Sequence, residues 1–117
     1  MIFGRWLRIL ARRQPALTIG LVANDRLALG MKICNLNEAE RTALQWSEDE
    51  WQKLYKGLMA RNPRGYSSWH PGSESLAPVT LHRAEWKMID QLCLELAAVA
   101  TDLWPSRVLA QIRDGAI

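Results

Sequence analysis

The sequence predicts an all-α fold, a small helical domain of two main antiparallel helices with short flanking helices. Residues 81–104 contain neither Gly nor Pro, and apolar residues recur in them at steps of three, four or seven, which is the spacing of one helix face. Two helix-start signals precede this stretch, and residues 31–117 show no convincing strand pattern. The 117 residues suffice for one domain. The apolar stripe consists of Leu81, Met88, Leu92, Leu96, Val99 and Leu103.

The positive charge of the chain is concentrated in residues 1–30, which hold five Arg against one Asp, a net charge of +4. Residues 31–117 hold ten basic and eleven acidic residues, a net charge of −1. A protein that binds nucleic acid without sequence preference needs a basic stripe on its folded body. The distribution therefore argues against DNA or RNA as the partner. It divides the chain into a basic N-terminal arm, residues 1–30, and a single helical domain, residues 31–117.

The arm has three interpretations, of which we favour a disordered or loosely docked segment. The second is a secretory signal that ends at Leu21-Val22-Ala23. The third is a basic helix on a membrane surface, formed by the first thirteen residues. No apolar run reaches the roughly 18 residues of a membrane span. The functional chain could also begin at Met31, because the regular pattern starts shortly after it.

Capping boxes predict the first two helices of the domain. Asn37 is followed three residues later by Glu40, so the two side chains can satisfy free backbone N–H groups at a helix start. Ser47 and Glu50 repeat this spacing. The second box indicates either a break near Trp46 or one continuous helix with Ser47 on its exposed side. The acids at 48–50 favour the break, since a helix N-terminus stabilises negative charge.

The remaining elements follow from apolar spacing and from Pro. Helical spacing continues from Trp51 to Met59, and Asn62-Pro63 ends that helix. Thr80 is the predicted cap of the long helix. The predicted elements are helices over residues 37–46, 48–61, 81–104 and 106–114, with an irregular loop over residues 62–79.

No residue pattern typical of an enzyme or a metal site is present. Cys34, His70, His82 and Cys93 lack the short paired spacings of a metal site. Cys93 lies within the apolar pattern of the long helix, where a thiol is buried and inert. Two cysteines do not make a disulfide framework, which fits a reducing cytoplasm. Ser67 and Ser68 lie near His70, but no strand–Ser–helix elbow surrounds them. We therefore expect a cytoplasmic, non-enzymatic protein with no catalytic residue, no cofactor and no metal.

The chain has more aromatic residues than the core of a small helical domain needs. Trp is favoured at protein interfaces because it contributes a large contact area with few rotatable bonds. Trp86 lies off the apolar stripe. Either the loop or the arm covers Trp86, or it belongs to an exposed patch that docks a partner or a second copy of the chain. The predicted partner-binding residues are Trp51, Tyr55, Tyr66, Trp69, Trp86 and Met88.

The two main helices, joined by the loop NPRGYSSWHPG, give residues 37–104 an architecture that resembles the small bacterial antiactivator proteins of the QslA type. We carry no site residue over from that family. The resemblance implies a dimeric helical protein that covers the dimerisation surface of a quorum-sensing transcription activator, without catalysis.

The predicted function is therefore that of a non-enzymatic regulator. It binds another protein, such as a transcription activator, and blocks it sterically. We also expect a homodimer with no transmembrane segment. The alternative is a DNA-binding regulator that uses the arginines of the basic N-terminal arm.

Overall fold

The computed structural model describes residues 16–60, 76–99 and 101–116 of the chain. Seven elements lie within these ranges, five helices and two strands, so the all-α prediction is wrong. The elements in chain order are strand β1 (Leu17–Val22), helices α1 (Ala23–Cys34), α2 (Glu38–Ala43) and α3 (Glu48–Met59), strand β2 (Leu76–Leu81), and helices α4 (Arg83–Val99) and α5 (Trp104–Ala116).

The two strands form one antiparallel sheet whose register runs from Leu17 opposite Leu81 to Val22 opposite Leu76. Alternate residues point to the core, as the two-residue period of a strand requires. Thr80, predicted as a helix cap, instead lies in β2 on the exposed face of the sheet. The buried strand residues are Ile19 and Leu21 of β1, and Ala77, Val79 and Leu81 of β2.

Pro78 and Gly20 face each other across the sheet, and both residues disfavour a strand. Among the described residues the sheet has two strands, so the N–H that Pro78 lacks need not serve a further strand beside β2. These two residues interrupt the alternation that would otherwise have indicated strands in the sequence. Residues 76–79 therefore belong to β2, not to the predicted loop.

The described part of the predicted arm, residues 16–30, is a buried component of the fold. It forms β1 and most of α1, and the side chains of Leu21, Ala23 and Leu29 are fully buried. Met31 lies inside α1, so a chain that began there would lack β1 and the start of α1. A cleavage after Ala23 would likewise remove β1. Residues 1–15, including the proposed membrane-surface helix, lie outside the described residues.

The two charged residues of this described part, Asp25 and Arg26, cancel in net charge, and both are buried. The guanidinium of Arg26 is buried between α1 and the end of α3, where Nε donates to the Leu58 carbonyl at 2.8 Å and Nη2 donates to the Ala60 carbonyl. These bonds satisfy carbonyls that lack helical partners at the C-terminus of α3. Burial lowers the pKa of Arg26. A residue counted as surface charge is therefore part of the structural framework.

Both predicted capping boxes are confirmed. The Asn37 side chain accepts from the Glu40 N–H at 2.8 Å, and the Glu40 carboxylate accepts from the Asn37 N–H at 3.0 Å. The Ser47 and Glu50 pair makes the same two bonds, each at 3.1 Å. The predicted break between α2 and α3 is also confirmed, because Gln45 adopts a φ of 61° and turns the chain out of α2.

The long predicted helix is shorter than expected and is followed by a second helix that begins earlier. α4 starts at Arg83, and the Glu85 carboxylate accepts from the His82 N–H at 3.1 Å at its entrance. α5 starts at Trp104, with Pro105 in its first turn, where proline is favoured because no helical hydrogen bond needs its N–H. The Trp104-Pro105 pair therefore begins a helix and does not end one.

The core lies between the sheet and the helices. α3 packs on α1 and β2, while α5 packs on α4, β1 and α1. Gly57 allows a close approach of α3 to β2, since a Cβ there would lie 2.7 Å from Leu81 Cδ2. In the part of the chain that the structure describes, no helix is long and apolar enough to cross a membrane.

Candidate functional site

Two of the predicted partner-binding residues, Trp51 and Tyr55, lie half-buried on the surface of α3. They line a notch of about 220 Å³ together with Cys34, Gln52 and Lys56. This aromatic notch is small compared with the roughly 300–1,000 Å³ of typical ligand pockets.

The Trp51 ring is fixed in place by two contacts. Its indole N–H donates to the Ile33 carbonyl of α1 at 2.7 Å, and the Arg41 guanidinium lies 4.2 Å from the ring centroid. The second contact is a cation–π interaction, which favours the stacked position of the ring. Trp51 therefore joins α1, α2 and α3, and only part of its surface can contact a partner.

Trp86 and Met88 are not surface residues. Trp86 is 2% exposed, and its indole N–H donates to the Leu17 carbonyl of β1 at 3.0 Å. Met88 is fully buried. The segment that we predicted as an arm covers Trp86, so neither residue can contact a partner in this fold. Tyr66 and Trp69 lie outside the described residues, and their role stays a prediction.

A larger groove lies where α1 approaches the start of α5, with a volume of about 480 Å³. Sequence reasoning missed it, and we call it the α1/α5 groove. α1 contributes one wall, Leu96 of α4 contributes a second, and the chain that enters α5 contributes the third. The lining residues are Ala28, Met31, Lys32, Asn35, Leu96, Asp102, Trp104 and Pro105.

A bidentate ion pair between Arg107 and Asp25 holds α5 against α1 beside this groove. Arg107 Nη2 lies 2.8 Å from Asp25 Oδ1, and Arg107 Nε lies 3.0 Å from Asp25 Oδ2. Asp25 is buried at the start of α1, whereas the Arg107 side chain is about half exposed. A planar guanidinium that binds both carboxylate oxygens restricts orientation as well as distance. The ion pair thus holds α5 in a defined orientation against α1 near the groove.

Large apolar side chains surround the α1/α5 groove. Met31 in its wall is 58% exposed, Leu103 between two lining residues is 69% exposed, and Val99, one turn beyond Leu96, is 83% exposed. The sequence placed Val99 and Leu103 on the core stripe, but α4 ends at Val99, so neither reaches the core. Clustered exposed apolar residues on a small protein are typical of an interaction surface.

Metal-ligating groups and thiols were compared among the described residues. No group of three His, Cys, Asp or Glu side chains that could hold a metal ion is found among them. Burial and the nearby Asp90 carboxylate raise the pKa of the Cys93 thiol to about 12, so it stays protonated at neutral pH and is a poor nucleophile. Cys34 is exposed, but no base in the described residues is hydrogen-bonded to its thiol.

Comparisons of the chain with protein-family models, with curated proteins and with solved structures give no match.

Proposed function

We propose that this protein is a non-enzymatic regulator that binds another protein through the α1/α5 groove. The observation that carries the proposal is the exposure of three large apolar side chains: Met31 in the wall of the groove, and Val99 and Leu103, which lie next to its lining residues along the chain. Burying such side chains stabilises a complex by roughly 1.5–3 kcal/mol each when burial is complete. The partner is expected to present an apolar helix face with anchors at helical spacing.

The charges on the groove give the complex its orientation. Lys32 and Asp102 both line the groove and carry opposite charges. Charges at the edge of an interface contribute mainly to specificity and to the association rate, while central apolar residues contribute most of the affinity. A partner with complementary charges would therefore bind in one orientation, with its anchors on Leu103 and Met31.

The mechanism is steric: the bound protein loses a surface that it needs for its own activity. The class of partner, a transcription activator, rests on the resemblance to the antiactivators and not on any contact described above. Homodimerisation and a cytoplasmic location are further parts of this proposal. The predicted aromatic residues Trp51 and Tyr55 lie on α3 and would form a second contact area if the partner is large enough to reach them.

A pair of matched substitutions tests the proposal. Leu103→Asp places a charge between the lining residues Asp102 and Trp104, whereas Leu94→Asp changes another exposed Leu whose two chain neighbours do not line the groove. Tagged wild-type protein, Leu94→Asp and Leu103→Asp are used to capture partners from the native cell. We expect the same partner with wild type and Leu94→Asp, and at least about tenfold less with Leu103→Asp, the effect of losing one interface anchor.

Circular dichroism of all three proteins must agree, so that the loss reflects the surface and not the fold. Equal capture by Leu103→Asp and wild type would exclude the α1/α5 groove as the binding surface. Light scattering of the same proteins then measures the oligomeric state. A dimer that Leu103→Asp dissociates would show that the groove binds a second copy and not a different protein.

A further inference from the structure

One face of the two-stranded sheet lies outside the core. Alternate residues of β1 and β2 are buried, so the other residues of both strands form the opposite face, which we call the open sheet face. Leu76 is 60% exposed there and leans towards Gly20, where an added Cβ would lie 3.5 Å from Leu76 Cβ. Four of its residues are exposed and two are half-buried. The exposed residues are Thr18, Leu76, Pro78 and Thr80, and the half-buried ones are Gly20 and Val22.

The open sheet face carries no charge. Its two hydroxyls, those of Thr18 and Thr80, hydrogen-bond to each other with 2.7 Å between the oxygens. Because this bond satisfies part of their hydrogen-bonding capacity, covering them costs less than covering two unpaired hydroxyls. The other residues of the face are apolar. A segment that covers this face is therefore expected to be apolar on the side that contacts the sheet.

Residues 1–15, which lie outside the described residues, lead directly to this sheet, because β1 begins at Leu17. Their sequence predicts an amphipathic helix over residues 2–13, in which apolar residues recur at the spacing of one helix face. Three of the four arginines recur at steps of three and four on the opposite face. The apolar residues are Ile2, Phe3, Trp6, Leu7 and Leu10, and the arginines are Arg5, Arg8 and Arg12.

The predicted helix and the sheet match in length. The residues from 2 to 13 would form a helix about 18 Å long, and the six residues of β1 span about 20 Å. Pro15 precedes β1 at the position where the chain would have to turn back, and its fixed φ suits a turn. A helix that turned back there would run antiparallel to β1 along the whole open sheet face.

The other segment that joins this sheet lacks such a pattern. Residues 61–75 precede Leu76 and also lie outside the described residues. They contain two Pro and two Gly, which disfavour a helix, and their aromatic residues are Tyr66 and Trp69. The apolar contact that the open sheet face needs is therefore better provided by residues 2–13.

The tether also favours the segment of the same chain over a separate molecule. A segment joined to its binding surface by a short linker has an effective concentration in the millimolar range. Residues 14–16 are such a linker between the predicted helix and β1. A second copy of the chain at micromolar concentration would compete weakly with it.

From the uncharged open sheet face and the amphipathic segment tethered beside it, we infer that residues 2–13 form a helix that docks on the open sheet face of the same chain. Trp6 lies over Gly20 and Pro78 at the middle of the face, and the arginines of the opposite side point to solvent. Leu76 contacts the first turn of the helix, where helix ends fray. The inference does not depend on the proposed protein-binding function, because no residue of this face lines the α1/α5 groove.

Hydrogen exchange of the full chain, resolved by residue, tests the inference. A helix of about twelve residues is marginal in water on its own, so its amides exchange slowly only when it is docked. The amides of residues 6–13 are the informative ones, because the first four N–H groups of a helix have no helical partner. We expect these amides to exchange at least about tenfold more slowly in the wild type than in a variant that cannot dock.

Two matched variants test which side of the segment contacts the sheet. Trp6→Gln removes its largest apolar side chain and should speed the exchange of residues 6–13 at least about tenfold, the effect of losing one buried large apolar side chain. Arg8→Gln changes the opposite side and should leave the exchange as in the wild type. The amides of Leu54 and Leu58 in α3 report on the core and should not change in either variant.

A second pair of variants tests the sheet. Gly20→Lys places a charge at the middle of the open sheet face, where the new Cβ would be in ordinary contact with Leu76. Because a charge covered by the segment would be unfavourable, the exchange of residues 6–13 should again become at least about tenfold faster. Leu94→Lys adds the same charge to an exposed position of α4, outside the sheet, and should leave the exchange unchanged.

Equal exchange in the wild type, Trp6→Gln and Gly20→Lys would overturn the inference. A faster exchange in Trp6→Gln that Gly20→Lys does not reproduce would also overturn it, since the segment would then dock elsewhere. Docking within one chain does not depend on protein concentration, so protection that increases with concentration would assign the face to a second copy and reject the inference. Protection that appears only with phosphatidylglycerol vesicles would assign the segment to a membrane surface, with the same consequence.

Discussion

Two neighbouring regions of this molecule differ in the helix-start signals of their sequences and in the burial of their side chains. The β1–α1 region, residues 17–34, has no side-chain cap at its helix start, yet Leu21, Leu29 and Ile33 are fully buried. The region from α2 to α3, residues 38–59, has two complete capping boxes. Nevertheless, α2 buries none of its own residues.

The difference shows that a capping box and the burial of a helix depend on different interactions. A capping box is a contact between residues three positions apart, and it can form in any short helix with the right side chains. Burial depends on which distant segments meet, such as β1 with β2 across about sixty residues of chain. A capping box in the sequence therefore marks where a helix starts. The lack of such a box does not mean that a segment lies outside the core.

The largest effect is expected in β1. Leu21→Ala removes a fully buried side chain and should lower the free energy of unfolding by about 3 kcal/mol, the middle of the range for buried Leu to Ala changes. Urea denaturation followed by circular dichroism measures it. Leu76→Ala in the paired strand is the matched control. Leu76 is 60% exposed, and we expect a change within about 0.5 kcal/mol.

A loss in Leu21→Ala as small as the one expected for Leu76→Ala, within about 0.5 kcal/mol, would contradict the assignment of β1 to the core. It would instead restore the interpretation of residues 1–30 as a loosely docked arm.

The helices with local signals were predictable from the sequence, and the sheet was not. The starts of α2 and α3 follow from Asn37 and Ser47, whose capping partners lie three residues away. The strands required knowledge of their pairing. Gly20 and Pro78 each weaken the pattern of one strand, and only their position opposite each other in a two-stranded sheet makes both acceptable.

The candidate sites could also be predicted only where they did not depend on contacts between residues far apart in the chain. Sequence reasoning identified Trp51 and Tyr55, which the structure places at the surface of α3. It left open whether Trp86 is covered or exposed, because the covering residue, Leu17, lies 69 positions away in the chain. It missed the α1/α5 groove because Val99 and Leu103 continue the apolar stripe in sequence, although Val99 is the last residue of α4 and Leu103 lies beyond it.

The second-largest effect concerns the ion pair that holds α1 to α5. Arg107→Ala removes both donors that Arg107 gives to the buried Asp25 carboxylate, and should lower the free energy of unfolding by about 3 kcal/mol. Asp25→Ala leaves the Arg107 guanidinium, which is about half exposed and can be hydrated. This change should therefore lower the free energy of unfolding by only about 1 kcal/mol. Urea denaturation of both variants at neutral pH measures this asymmetry. Equal losses would show that Asp25 reaches water in the folded protein.

A smaller effect distinguishes the two capping boxes. Ser47→Ala removes the cap of α3, which buries Leu54 and Leu58, and should cost about 1 kcal/mol. Asn37→Ala should cost less in global stability, because α2 buries no residue and can fray without opening the core. Hydrogen exchange should nevertheless show faster exchange of the α2 amides in Asn37→Ala. A larger global loss in Asn37→Ala than in Ser47→Ala would mean that α2 is coupled to the core.

The smallest effect is a stabilisation at the turn between these two helices. Gln45 follows α2 with a φ of 61°, and the Trp46 N–H donates to the Arg41 carbonyl at 2.9 Å, the arrangement of a Schellman motif. A side chain in this conformation costs roughly 1–2 kcal/mol, whereas Gly adopts it without steric cost but loses about 0.5–1 kcal/mol more through backbone entropy on folding. Gln45→Gly should therefore be about 0.5 kcal/mol more stable than Gln45→Ala in urea denaturation, since both variants lose the same side-chain contacts. Gln45→Ala retains the Cβ and should give no gain. Stabilisation by Ala as large as that by Gly would show that the Gln45 side chain, and not its backbone conformation, is the unfavourable feature.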